Sequence, residues 1–280
     1  MRFGNFEVDI LTEGNFRLDG GAMFGVVPRL LWEKRMPPDE KNRITLGLRQ
    51  LLVRGKGFNL IIDTGIGTKG DEKFLSIYSV NIQRSWEDRL SPFGLSPSDV
   101  SHVILTHLHF DHAGGATRFN EDRTEVVSSF PNAKFYVQIG EWREACAPFE
   151  RSKSSYFFEN YLPLQNFQGV SFLSGDSEIL PGIFSQVTGG HTKHHQIVSI
   201  IQGEVSIHFL GDLIPTSNHL PLAWNMAYDL FPVELLEARR SLLAHLLASK
   251  DMVVFEHDFE GGFKRVIGSI QKPQLLEVNP

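Results

Sequence analysis

Five apolar runs in this chain each end in a histidine or an aspartate, and that layout narrows the folds open to it. Leu60-Ile61-Ile62 leads to Asp63, and Ile104-Leu105 leads to His107. Val187 leads through Gly189-Gly190 to His191, Ile207–Leu210 through Gly211 to Asp212, and Val253–Phe255 to His257. Short apolar runs bounded by glycine and polar residues read as buried strands. Strands supply rigid posts and the loops after them supply reach, so a site assembled from strand ends gives this pattern.

The densest stretch is THLHFDHAGG, positions 106–115, which places His107, His109, Asp111 and His112 within six residues. Four polar groups beside a buried strand are costly unless something neutralises them. His107 and His109 share a side of an extended turn, whereas Asp111 and His112 follow a bend that Gly114-Gly115 permits. One loop can therefore offer two ligands to each of two metals. Imidazole and carboxylate suit Zn²⁺ and also Fe, Mn or Co.

The rest of the chain reads as strands with a few helices. FGNFEVDIL (3–11) is a first strand, and 46–53 and 58–62 form a hairpin about Gly55-Lys56-Gly57. Ser96, Pro97 and Asp99 open a short helix before the strand His102–Leu105. AKFYVQI (133–139) is a strand, 139–162 is partly helical, and 196–212 is a hairpin. Pro232 opens a helix to Ser249 with Leu235, Leu236, Leu242, Leu243, Leu246 and Leu247 on one stripe. Strands and helices in both halves predict an α/β (α+β) chain built as a four-layer αββα sandwich. No linker divides it, which predicts one domain over 1–280.

Segment 20–43, GGAMFGVVPRLLWEKRMPPDEKNR, is irregular and holds Met23, Phe24, Leu30, Leu31 and Trp32 as apolar residues of exposed type. It reads as a surface excursion, or as an active-site lid or homodimer contact. Phe24, Trp32, Phe110, Phe149, Phe157, Phe158 and Trp224 fall in or near loops where they could line an apolar pocket. His102, His194, His195, His208, His219 and His245 read as structural or solvated, with His208 a candidate supporting donor.

Composition removes several classes. The net charge of −6 offers no basic excess for nucleic acid. No run approaches the roughly 18 apolar residues of a membrane span. The N-terminus lacks a basic head and apolar core, so it does not read as a signal peptide. The single cysteine, Cys146, excludes an internal disulfide and a cysteine-only zinc site, and fits a cytoplasmic setting. It reads as an inert, partly buried thiol.

THLHFDHAGG resembles the HxHxDH signature of the metallo-β-lactamase superfamily, GGHTKHHQ its G-H-T-x-x-H element, and FLGD, FEHD and IIDTG its later aspartate, last histidine and early aspartate. Within it, segment 20–43 and AYDLFP are similar to the bacillus-type quorum-quenching lactonases, the N-acyl-homoserine lactone lactonases. The resemblance implies two divalent metal ions, with Zn²⁺ the first choice. His107, His109 and His191 would hold one, Asp111, His112 and His257 the other, and Asp212 would bridge them. It further implies a lactone or carboxylic-ester hydrolase in which a bridging hydroxide attacks and Asp111 passes a proton to the leaving group. Glu in place of His109 would mark the oxygen-reducing di-iron branch, so hydrolysis is favoured. Better-known lactonases carry a tyrosine three residues after the bridging aspartate, where this chain has Pro215. The rival activities are an organophosphate or aryl-ester hydrolase, a glyoxalase II-like thioesterase and a β-lactamase. The non-enzyme rival is a metal-dependent binding protein.

Overall fold

The computed structural model describes residues 1–166 and 169–278. Two compact units emerge: 1–14 with 48–175, and 15–47 with 176–280. The chain starts with β1 (Arg2–Phe3) and β2 (Phe6–Asp19), which pair antiparallel, so the expected first strand is divided by a turn at Gly4-Asn5. Helices α1 (Gly20–Phe24) and α2 (Arg29–Trp32) follow, then β3 (Arg43–Gly55) and β4 (Phe58–Ile62) form the expected hairpin.

The first unit continues with α3 (Glu72–Tyr78), β5 (Asn81–Ile82), α4 (Trp86–Leu90) and β6 (His102–Ile104). Next come α5 (Phe110–Ala113), β7 (Thr117–Phe119), β8 (Val126–Ser128), β9 (Lys134–Gln138), α6 (Ile139–Cys146) and β10 (Val170–Leu173). The main sheet runs β1-β2-β3-β4-β6-β9-β10, with β5 beside β2. Its centre is parallel: Ile61 pairs with Val103, and Val103 with Phe135. Central parallel strands are covered on both faces, which explains their unbroken apolar runs. Leu52, Ile61, Val103, Leu105, Phe130 and Phe135 form the core beside them, each 2% exposed or less. Residues 97–99 make a 3-10 turn with a Ser96–Asp99 capping box, since β6 begins too soon after them for an α-helix.

The second unit holds β11 (Ser177–Leu180), β12 (Ile183–Val187), β13 (Gln196–Gln202), β14 (Val205–Phe209), α7 (Pro232–Ala248), β15 (Met252–Val254), β16 (Phe263–Ser269) and β17 (Lys272–Val278). They form one sheet in chain order. Helix α7 buries Leu235, Leu243 and Leu246 against Ile197, Leu213, Val253 and Phe255. The two sheets and their helices carry the mixed α/β content expected of the sandwich class.

Two expectations change. Met23, Phe24 and Trp32 are at most 2% exposed, because Phe24 stacks on Trp32 at 5.3 Å and on His219 at 4.6 Å. Only Leu30 and Leu31 of the five are exposed, beside Val26. Cys146 is exposed at the end of α6 rather than partly buried. Among the described residues no helix is long and apolar enough to cross a membrane.

Candidate metal centre

In the first unit the strand ends are locked together before any ligand is placed. Asp63 donates its backbone N–H to Ile104, and Leu105 donates to Tyr136. The carboxylate of Asp63 accepts from Thr106 N at 2.7 Å and Thr106 Oγ1 at 2.6 Å. Its φ of 55° is unusual for a non-glycine residue and turns the side chain back toward β6. Buried Glu13 accepts from Ile66 N and Gly67 N, fixing the next turn. Burial raises the Glu13 pKa, and the Arg89 charge opposes the rise.

The HxHxDH loop lies over this turn. His107 and Leu108 lie outside any regular element, His109 is extended at the N-cap position of α5, and Asp111 and His112 lie within the helix. All four candidate ligands are buried, and the His107 ring centroid lies 4.5 Å from that of His109 and 4.0 Å from that of His112. Asp111 Oδ2 is 3.8 Å from His112 Nε2. Gly114 and Gly115 are needed for close approach: a Cβ would sit 2.0 Å from Ile66 O at the first and 2.1 Å from Thr64 O at the second. Lys69 donates to Gly114 O and Thr117 O, and burial pulls its pKa down to about 8.

The second unit brings His191, Asp212 and His257 together from three strand ends. His191 Nε2 lies 3.1 Å from Asp212 Oδ2, and His257 Nε2 lies 3.3 Å from Asp212 Oδ1. Donors about 2.0–2.1 Å from a tetrahedral zinc stand roughly 3.3 Å apart. Each Asp212 oxygen thus faces a different imidazole at ligand spacing, so one carboxylate can serve two cations. His195 Nε2 accepts from Asp212 N at 3.1 Å and holds that turn.

The Nδ1 contacts test whether these histidines suit a metal. His112 Nδ1 meets Asp63 Oδ2 at 3.0 Å, His191 Nδ1 meets Asp229 Oδ1 at 3.0 Å, and His257 Nδ1 meets Gly47 O at 2.9 Å. An acceptor at Nδ1 keeps the proton there and aims the Nε2 lone pair at a cation. The donor set fits divalent metal ions. Asp63 is therefore a supporting group, as are Asp229, Gly47 and His195. Asp229 falls within AYDLFP, but nothing in the local sequence marks its role or that of Gly47, because both roles arise through space.

A cavity of about 230 Å³ opens beside α5, lined on one side by Ile66, Phe74, Phe110 and Phe157 and otherwise by the polar Lys69, Asp71, Glu159 and Asn160. Of the seven aromatics expected at a pocket, Phe110 and Phe157 line this one. Phe149 and Phe158 are exposed, and Phe24 and Trp32 pack with Trp224 in the second unit. Tyr78, also unmarked in the sequence, has its ring 5.0 Å from that of Phe110. Burial and then the Asp111 charge raise its pKa, so the phenol keeps its proton. Pro215 offers only its carbonyl, which accepts from His257 N at 3.0 Å.

Known proteins share this organisation. A crystal structure of a probable metal-dependent hydrolase from Staphylococcus aureus is 33% identical, with a TM-score of 0.86 over 95% of this chain and 94% of that one. AidC, a dizinc quorum-quenching lactonase in complex with a product, is 20% identical, with a TM-score of 0.77 over 100% of this chain and 96% of that one, a likeness of fold. An N-acyl homoserine lactonase from Bacillus sp. is 30% identical over 179 residues, which span 62% of this chain and 64% of that protein. The profile of the metallo-β-lactamase superfamily matches residues 50–257, well over half of the sequence, and the chain belongs to that superfamily.

Proposed function

We propose that this protein is a dinuclear metal-dependent hydrolase that opens a lactone ring of the N-acyl-homoserine lactone type. The observation that carries the reading is Asp212, with one oxygen 3.1 Å from His191 Nε2 and the other 3.3 Å from His257 Nε2. His107, His109 and His191 would hold one ion, Asp111, His112 and His257 the other, and Asp212 would bridge. When bound, two such cations supply a nucleophile from water near neutral pH and polarise an ester carbonyl. Zn²⁺ is the ion we assign.

The chain's own groups do the rest. Asp111 carries a proton to the leaving alkoxide, as a general acid placed beside the ligand loop. Tyr78 takes over the hydrogen bond that Pro215 cannot make, donating its phenol proton to the substrate carbonyl. The acyl chain lies against Phe74, Phe110 and Phe157. The lactonase name of the Bacillus relative supports the substrate class. Segment 20–43 is assigned as a contact with a second copy, through exposed Val26, Leu30 and Leu31. A reducing cytoplasm suits the exposed Cys146 thiol.

The test is a kinetic panel of lactone, thioester, phosphotriester, aryl-ester and β-lactam substrates on metal-defined protein. Lactones should give the highest kcat/KM, chelation should abolish turnover, and Zn²⁺, Mn²⁺ or Co²⁺ should restore it. A thioester or phosphotriester preference would replace the substrate assignment. Turnover that survives exhaustive metal removal would refute the mechanism, and binding without turnover would make the protein a sensor.

A further inference from the structure

We propose that His208, His245 and Asp251 form an additional binding site for a first-row divalent metal ion of the Zn²⁺ type, using none of the seven ligands assigned above. His208 is in β14, paired with Ser199 of β13 and Val253 of β15. His245 is in the last turn of α7, and Asp251 directly precedes β15. Asp251 Oδ2 lies 2.7 Å from His245 Nε2 and 3.2 Å from His208 Nε2. The three donor atoms all fall within 4.8 Å of one another.

The geometry is that of a three-ligand cation site with a position left to solvent. Around zinc, neighbouring donors stand roughly 3.3 Å apart. The His208–Asp251 pair already has that spacing. His245 must withdraw by about half an ångström from its hydrogen bond to admit the ion, and its side chain is 58% exposed and free to do so. The other two ligands are buried and pre-placed. Asp251 Oδ1 accepts from Ser206 N at 2.8 Å, which fixes the carboxylate plane. His208 Nδ1 is 2.8 Å from Ser199 Oγ, and a hydroxyl can accept as well as donate. The His208 proton can therefore move to Nδ1, leaving the Nε2 lone pair for a metal, the supporting contact that metal-bound imidazoles usually have.

One further feature favours a cation here. The C-terminus of α7 carries the negative end of its dipole beside His245. Two nitrogens and one carboxylate oxygen, with no thiolate, suit Zn²⁺, Co²⁺, Ni²⁺ or Cu²⁺ over Ca²⁺ or Mg²⁺. An ion so held would clamp the end of α7 to β14 and β15, with His208 four residues before Asp212.

Equilibrium dialysis of the full-length, metal-loaded protein against micromolar free Zn²⁺ tests this, with bound zinc counted by mass spectrometry. His245→Ala, a surface change, should bind one ion fewer per chain than wild type while lactone turnover is unchanged. Added Zn²⁺ should raise the thermal midpoint of wild type and not of the variant. Ser199→Ala should weaken this ion about tenfold or more, as loss of a supporting contact does. Equal zinc counts in wild type and His245→Ala would overturn the proposal. A zinc-dependent doubling of mass in light scattering would overturn the single-chain site in favour of one shared between copies. Because the readout is a difference between two variants, it holds whatever number of ions the HxHxDH region binds.

Discussion

Replacing Asp63 with Asn should disable His112 without disturbing the backbone. Position 63 has φ of 55°, a conformation asparagine tolerates better than most residues. Thr106 N is a fixed donor 2.7 Å from Oδ1, so the amide oxygen must face it. The amide NH₂ then takes the place of Oδ2, toward Thr106 Oγ1 and His112 Nδ1. Thr106 can rotate its hydroxyl to accept. His112 can accept only by giving up the Nδ1 proton, which places it on Nε2, where a metal needs a lone pair. Three charge-assisted hydrogen bonds become neutral ones, each losing about 1 kcal/mol, so stability should fall by about 2–3 kcal/mol. Metal affinity should fall about 10- to 100-fold, the usual cost of removing such a partner. Chelator competition measures the affinity, guanidinium unfolding the stability, and long-range ¹H–¹⁵N spectra of the metal-free protein the tautomer. An Asp63→Asn variant with wild-type affinity, or with His112 still protonated on Nδ1, would refute the reasoning.

Other outcomes follow from the same geometry. Buried His219 has its pKa lowered to about 3 by desolvation. The folded pKa is below the unfolded one, so its contribution is complete above about pH 6.5 and is lost at about 1.4 kcal/mol per unit as pH falls toward 3. Between pH 7 and 5 wild type should lose about 2 kcal/mol more than His219→Gln in denaturant titrations, and parallel losses would contradict this. Gly114→Ala pushes a Cβ against a backbone carbonyl and should cost about 1–3 kcal/mol with reduced metal loading, read from the unfolding midpoint. Phe157→Ala should lower kcat/KM for long-chain lactones about tenfold or more and spare short-chain ones, given about 1.5–3 kcal/mol for a fully buried ring. Tyr78→Phe should lower kcat for lactones by about tenfold or more, the cost of one lost transition-state donor; unchanged kcat removes Tyr78 from the reaction.

The sequence made the ligands legible because each is local to a strand end. HxHxDH needs no tertiary knowledge to look costly, and the apolar run before it places it at a strand mouth. Asp63 and Asp229 stand in segments that the sequence marks, but the contacts that set the tautomers were not legible: Asp229 reaches His191 across 38 residues, and Gly47 reaches His257 across 210 through a carbonyl that every residue has. Met23, Phe24 and Trp32 were misread because an irregular stretch with prolines looks solvent-facing, while their burial depends on His219 and Trp224, far along the chain. Strands β16 and β17 went unread for the opposite reason: β17 alternates between exposed and half-buried residues and offers no apolar run.

The close approach at Gly114-Gly115 also bears on how such a loop can be moved. With two carbonyls of the 63–67 turn lying where side chains would begin, ligand loop and turn form one mechanical piece drawn from separate parts of the chain. A designer who grafts THLHFDHAGG alone into another scaffold transfers the histidines but not the surface that shapes them. The portable unit is the loop together with residues 63–67 and the Glu13 carboxylate that pins that turn.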